Sequence, residues 1–381
     1  MGFMEPEFQV AQSKGENSFS GGNFPSNSNN RFIIRRGRIR TQYLLSNKKS
    51  QPVAEMCFEF DGTQRGVTIN EFWGKLYENK WQLFSVGMGM MVRPFSNEIN
   101  VSTRNLVSPE RARMSQTLMR GEVDLGGMLV FEPRNTSSFF QFIKFSAGVF
   151  NGQGLTGPAE YDSFKDFISR VSVKPVPVGK KFFVSGGMSA FTGGIVQNNQ
   201  YVYHTVEKDG MRIEQVDSSF SNIGKKAPRK YFDADIQLKY QHQQGASELR
   251  AEYWWGRQTG TGTSSETPNA LLTEPYFVRR FNGGIFYLLH FFLPRHQLVV
   301  KYDWYDPNTD VKKEDIGKAN ANFTIADIKF STLGFGYIYY MNTNLKLMLW
   351  YDIIKNESTS LTEYKNDFKD NVLTCRLQLR F

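Results

Sequence analysis

A membrane-spanning antiparallel β-barrel of about sixteen strands, within fourteen to eighteen, is the all-β fold class this sequence predicts. Three observations predict it. Apolar and polar residues alternate with period two along much of the chain. The connections between these runs alternate between short and long. Aromatic content is high at 15%, with 33 Phe and 17 Tyr, yet no apolar run approaches the roughly 20 residues of a spanning helix.

The alternation is clearest at the C-terminus, where Leu373, Cys375, Leu377, Leu379 and Phe381 share one face and Thr374, Arg376, Gln378 and Arg380 the other. Upstream, Leu345, Leu347, Leu349, Tyr351 and Ile353 alternate with Lys346, Met348, Trp350 and Asp352. Phe232, Ala234, Ile236, Leu238 and Tyr240 alternate with Asp233, Asp235, Gln237 and Lys239, and Leu249, Ala251, Tyr253 and Trp255 with Glu248, Arg250, Glu252 and Trp254. Near the start, Ala54, Met56, Phe58 and Phe60 alternate with Glu55, Cys57 and Glu59. The runs at 67–77 and 285–292 are mixed on both faces. The first fifteen or so residues either form a strand or stay mobile.

A soluble sandwich produces the same alternation strand by strand, so the connections carry the distinction. Short links fall at 46–51, 78–80, 133–137, 176–179, 242–246, 293–295 and 341–344. Long polar ones lie at 13–30, 93–121, 151–164, 193–229, 259–273, 307–322 and 356–370, with a tighter one at 61–66. Outer-membrane barrels have short periplasmic turns and longer external loops, whereas a sandwich has no reason to sort its loops by parity. The runs 201–206 and 211–216 read as a hairpin inside one external loop. Residues 1–381 then form a single domain, and 93–121 is an external loop long enough to fold inward as a constriction.

The formal charge of +9 fits nucleic acid, an anionic surface or anionic solutes. Its placement favours the last. Arg36, Arg38 and Arg40 share one strand face, and three guanidiniums against lipid would be prohibitive, so that face looks into a water-filled lumen. There they either form a ladder for anions or pair with Glu55 and Glu59 on the next strand. Arg93, Arg104, Arg111, Arg113 and Arg120 stand against Glu98 and Glu110 in and around the long loop, where basic rings would select anions. Arg250 and Arg376 add lumen charge, while Asp233, Asp235, Glu248 and Glu252 offset much of it.

Cys57 and Cys375 fall on opposite faces of the wall, and with four His they offer no metal-ligand spacing; no cofactor is expected. No His pairs with a nucleophile, so no enzymatic reaction is expected. The opening twelve residues lack the basic and apolar regions of a signal peptide, so an outer-membrane location implies that a leader was removed. The terminal Phe381 matches the aromatic that signals barrel assembly.

The residues Arg35-Arg36-Gly37-Arg38-Ile39-Arg40, Met91-Val92-Arg93-Pro94-Phe95, Ser108-Pro109-Glu110-Arg111-Ala112 and Asp124-Leu125-Gly126 resemble the phosphate-selective porin O and P family, particularly its Bacteroidetes-type members. The resemblance runs from about Phe32 to Asn151. It implies a sixteen-stranded, often trimeric barrel with inward-folded loops and an arginine ladder, matched here by Arg36, Arg38 and Arg40, with Arg111 and Arg113 in the corresponding loop. The family's deep lysine-rich cluster has no counterpart here, which makes general anion diffusion the expectation, with phosphate as one such solute. Expected partners are outer-membrane lipids and lipopolysaccharide, the barrel-assembly machinery, small anions, and a homotrimer or larger envelope complex; nucleic acid is not among them. The alternative is a non-conducting accessory barrel whose lumen is crowded by Trp73, Trp254 and Trp350.

Overall fold

The computed structural model of the chain describes residues 1–134 and 139–381. The expected short link at 133–137 therefore falls largely outside the described residues. The strands in chain order are β1 (Gly2–Ala11), β2 (Asn30–Ser46), β3 (Pro52–Thr63), β4 (Gly66–Tyr77), β5 (Phe84–Val92), β6 (Val123–Phe131), β7 (Ile143–Phe150), β8 (Asp166–Pro177) and β9 (Phe182–Val196). They continue with β10 (Val202–Lys208), β11 (Met211–Asp217), β12 (Lys226–His242), β13 (Gly245–Gly260), β14 (Tyr276–Leu293), β15 (His296–Asp306), β16 (Phe330–Tyr340), β17 (Leu345–Asn356) and β18 (Val372–Arg380).

All eighteen belong to one sheet. β10 and β11 form a hairpin between β9 and β12, and β10 touches β14 in parallel only at Val202–His204. β9 pairs directly with β12 and β18 with β1, so the other sixteen strands close an antiparallel barrel without an edge. Closure satisfies every backbone ladder internally, which lipid demands. Among the described residues no helix is long and apolar enough to cross a membrane.

The first residues are a strand, and they make the seam. In β1 the apolar Met4, Phe8 and Val10 face outward, while Phe3, Glu5, Glu7, Gln9 and Ala11 are buried inside. Pro6, which has no N–H to give a ladder, sits where the β1–β2 register shifts. The terminal Phe381 exchanges backbone hydrogen bonds with Gly2 and completes the seam.

The predicted faces hold. Met56, Phe60, Met88, Leu129, Phe335, Leu349 and Leu373 are exposed on the outer wall, Met88 by 74%. So large an apolar exterior fits a lipid surround. Cys57 faces inward, Cys375 does not, and both are free. The mixed character of 67–77 has a local cause: the β3–β4 register shifts after Glu59, so the successive residues Asn70 and Glu71 are both buried inside.

Candidate functional site

The lumen is occupied by residues 93–122, the connection between β5 and β6. Ser96 begins it by capping α1 (Asn97–Asn100), its Oγ accepting Ile99 N–H at 3.0 Å. A second short helix, α2 (Arg113–Leu118), follows. Phe95, Ile99, Val107, Met114, Leu118 and Met119 of this segment pack with Phe191, Tyr231, Trp254, Phe281, Tyr287 and Trp350 of the wall in one buried cluster. Phe95 meets the Trp254 ring edge-on at 4.9 Å. Gly283 is required where Met114 lies against the wall, since a Cβ there would come within 2.3 Å of the Met114 sulfur. Trp73, Trp254 and Trp350 all belong to this filling.

Polar bonds tie the segment to many strands. Ser96 N–H donates to Ser189 Oγ (2.9 Å) and Glu98 N–H to Glu252 Oε2 (2.9 Å). Lys346 Nζ donates to Leu106 O (3.0 Å), Arg376 to Pro109 O (2.6 Å) and Arg380 to Arg104 O (2.5 Å). At the end carrying the long loops, Thr267 N–H reaches Thr117 O (3.0 Å) and Gln116 Nε2 reaches Phe19 O (2.7 Å).

The basic residues singled out in the sequence split by environment. Arg36 donates to Glu110 Oε2 (2.6 Å) and Glu5 Oε2 (3.1 Å). Arg38 meets Asp61 (3.0 Å), Glu59 (3.3 Å) and Glu122 (2.7 Å), and Arg40 meets Glu59 (3.3 Å) and Glu71 (2.6 Å). The cross-strand pairing is thus with Glu59, whereas Glu55 accepts from Gln42 at 2.9 Å. Arg111 bonds Glu122 (2.8 Å) and the carbonyls of Glu98 and Val101. Arg376 bonds Glu7 and lies 3.5 Å from Glu5 and Glu110. Arg250 bonds Glu248 at 2.7 Å. Arg104 and Arg113 have no carboxylate within ion-pair distance among the described residues. Arg113 instead lies over the Phe19 and Phe330 rings, at 4.4 and 3.3 Å.

Several partners escaped the sequence reading. Glu5 and Glu7 lie in the opening segment, which the sequence allows as either a strand or a mobile end, although its alternation is legible. Glu122 lies one residue beyond the predicted loop. Arg35 reaches Glu110 (2.6 Å) from the same side as Arg36 because the β1–β2 register skips it, a bulge that period-two counting misses. Burial alone would push the Glu110 carboxyl up, but Arg35, Arg36 and Arg376 outweigh it and hold it well below the carboxylate range. Burial likewise opposes Glu122 ionisation, and Arg111 and Arg38 prevail, leaving it at about 2.

Among the described residues, two larger chambers flank the segment and both reach Asn100 and Val101. One, about 370 Å³, is lined by Arg38, Arg40, Arg104 and Arg111 with Glu59, Glu71 and Glu122. The other, about 630 Å³, is lined by Lys144, Arg170, Lys239 and Arg250 with Glu248. Both lie toward the end with short turns, near Met1 in the first case and Pro175 and Phe183 in the second. Arg36 and Arg376 line neither. Toward the loop end a small cavity of about 20 Å³ lies between Phe19, Glu110, Arg113, Trp350 and Asp370.

That loop-end closure is expected to respond to pH. Burial, with Asp370 nearby, pushes Glu16 up to about 7, and burial pushes Asp370 up to about 6 against the pull of Arg113. Both folded values lie above the ordinary ones of 4.5 and 3.8, so their contribution is complete below pH 3.8 and is lost as pH rises to about 7. Hydrogen-exchange protection of residues 13–28 and 357–371, taken relative to the intrinsic exchange rate at each pH, should fall over that window. Glu16→Gln with Asp370→Asn should flatten the dependence; an equally steep profile in the double variant would refute the assignment.

A sixteen-stranded closed antiparallel barrel with short turns at one end and long loops at the other is the fold of bacterial outer-membrane β-barrels. Solved structures agree on this fold. The anion-selective porin from Comamonas acidovorans superposes with a TM-score of 0.58 at 9% identity, covering 100% of this chain and 98% of that one. OprB of Pseudomonas putida gives 0.62 at 10%, covering 99% and 92%, and the trimer form of OmpT, an outer-membrane protein of Vibrio cholerae, gives 0.56 at 9%, covering 99% and 97%. No protein-family model matches the chain. No curated protein matches it either.

Proposed function

We propose that this chain is a porin-like channel of a bacterial outer membrane that passes small solutes, anions preferentially, beside the inward-folded loop 93–121. The observation that carries this reading is the pair of chambers flanking Asn100 and Val101, with basic side chains in excess in the larger one. Arg104, Lys239 and Arg250 offer the anion path its accessible charge. The buried ion pairs of Arg36, Arg38, Arg111 and Arg376 hold the loop as a constriction, with Arg40 facing it from the wall and Arg113 packed within it on the Phe19 and Phe330 rings. The fold shared with an anion-selective porin supports the sign of the preference, and the resemblance of 32–151 to the phosphate-selective family makes phosphate the first solute to test. The OmpT trimer supports a homotrimer. Phe381, exposed at the seam, is the residue the assembly machinery would engage.

A second reading is favoured by one specific observation. The apolar cluster around Phe95, Met114 and Trp254 fills the middle of the lumen, as a permanently plugged accessory barrel would require. Planar-bilayer recording separates the two. Discrete steps are expected, with a reversal potential in a salt gradient biased toward anions and shifted toward zero by Lys239→Gln with Arg250→Gln. A stably inserted barrel that carries no current establishes the plugged reading instead.

A further inference from the structure

The outer wall carries a shallow, open groove near its loop end, away from the lumen. Its volume is about 820 Å³, and its lining includes Lys230, Phe232, Ala234, Tyr253, Trp255, Arg257, Arg280 and Asn282. Lys230 pairs in register with Arg257 and Arg257 with Arg280, so three cations stand side by side on β12, β13 and β14. All three are exposed, four residues or so from the loop end of their strands. Lys230 and Arg257 have no ion-pair partner among the described residues, and Arg280, whose side chain is 57% exposed, has only Asp310 at 3.6 Å.

Below this row the wall is aromatic. Phe232 and Tyr253 stack on Trp255 at 5.8 and 5.7 Å, Tyr253 approaches Trp304 at 6.2 Å, and Phe286 and Tyr302 meet Trp304 at 5.9 and 6.1 Å. Gly284 lets the Trp304 ring lie flat, because a Cβ there would fall 2.3 Å from it. Ala234, opposite Tyr253, leaves the dip between the rings.

A row of exposed cations across three strands, of which only Arg280 has a carboxylate at ion-pair distance among the described residues, stands immediately above an aromatic floor and matches one kind of ligand. It must carry phosphate at one end and acyl chains at the other. On the outer-membrane reading proposed above, on which this step rests, the loop end faces the outer leaflet. We infer that the groove on β12–β14 binds a phosphorylated acyl glycolipid of lipid A type, with phosphate on Lys230, Arg257 and Arg280 and acyl chains along Phe232, Trp255 and Trp304. Forked guanidinium donors on β13 and β14 suit a phosphate better than scattered snorkelling lysines would. A second copy is the less fitting occupant. The row would set its charges against an apolar partner, and the run of short strands β5–β7, of nine, nine and eight residues, lies on another part of the ring.

The test uses the full chain refolded in detergent free of lipopolysaccharide. The folded barrel is titrated with bisphosphorylated lipid A, its dephosphorylated form and phosphatidylglycerol, read by native mass spectrometry and tryptophan fluorescence. One lipid A is expected per barrel, with affinity falling about tenfold or more on removing its phosphates, and equally in Lys230→Gln/Arg257→Gln/Arg280→Gln. Arg257→Gln alone gives a smaller loss and serves if the triple variant does not fold. Undiminished binding in the variants, equal binding of dephosphorylated lipid or phosphatidylglycerol, or a changed oligomeric state in the triple variant each overturns the inference. Conductance on the same samples keeps the two readings apart. Lost lipid selectivity with unchanged conductance would support the groove independently of the pore, whereas failure to insert would strike the porin reading itself.

Discussion

Replacing Arg376 with alanine is expected to weaken the barrel seam and the docking of the inward loop together. Its guanidinium, 1% exposed, bonds Glu7, lies 3.5 Å from Glu5 and Glu110, and donates to Pro109 O at 2.6 Å. One side chain on β18 therefore joins β1 across the closure and holds the loop that fills the lumen. Without it, Glu5, Glu7 and Glu110 share fewer cations in a buried setting. Stranding one side of a buried ion pair costs about 3–5 kcal/mol, far more than any exposed pair contributes. The midpoint of heat-modifiable gel migration should fall accordingly, with partial recovery in Arg376→Lys. A variant that keeps the original midpoint would show that the seam relies on its backbone ladder alone.

Trp254→Ala should have the second large effect, on both stability and conductance. The indole is fully buried between the loop and β13, with Phe95 edge-on and its Nε1 donating to Glu252 Oε1 at 2.5 Å. Truncating such a ring costs about 3–5 kcal/mol, and the loss includes the cavity left behind. Here that cavity opens beside the segment dividing the two chambers, so the unitary conductance should rise. The anion preference should persist, because Lys239 and Arg250 are untouched. Trp254→Phe, which keeps most of the packing, should stay near the original conductance. If Trp254→Ala folds and conducts no more than the parent chain, the path does not run along this side of the loop.

Much of this molecule was legible because a strand announces its faces locally. Backbone pleating alternates side chains with period two whatever the partner strand, so Leu373 to Phe381 and Phe232 to Tyr240 could be assigned residue by residue. Loop parity did the same for the two ends, and the 201–216 hairpin could be separated from the spanning strands by its place inside a long connection. The same rule also covered β1, where Glu5 and Glu7 alternate with Met4 and Phe8, but an isolated strand at the chain start had no neighbouring pattern to place it.

Period-two counting breaks where a bulge inserts one residue. That is why Arg35 joins Arg36 on Glu110, and Asn70 joins Glu71 inside β4. Pleat and loop parity are local properties, and they specify the barrel, the inward face of Arg36, Arg38 and Arg40, and a long basic loop after β5. Which of those arginines would be neutralised was decided only by closure and by the fold of that loop. Their carboxylates arrive from 74 residues away for Glu110 on Arg36 and 369 for Glu7 on Arg376. A charge on a strand face has a sign that the sequence supplies, but its partner and its access to water depend on what the tertiary structure lays against it.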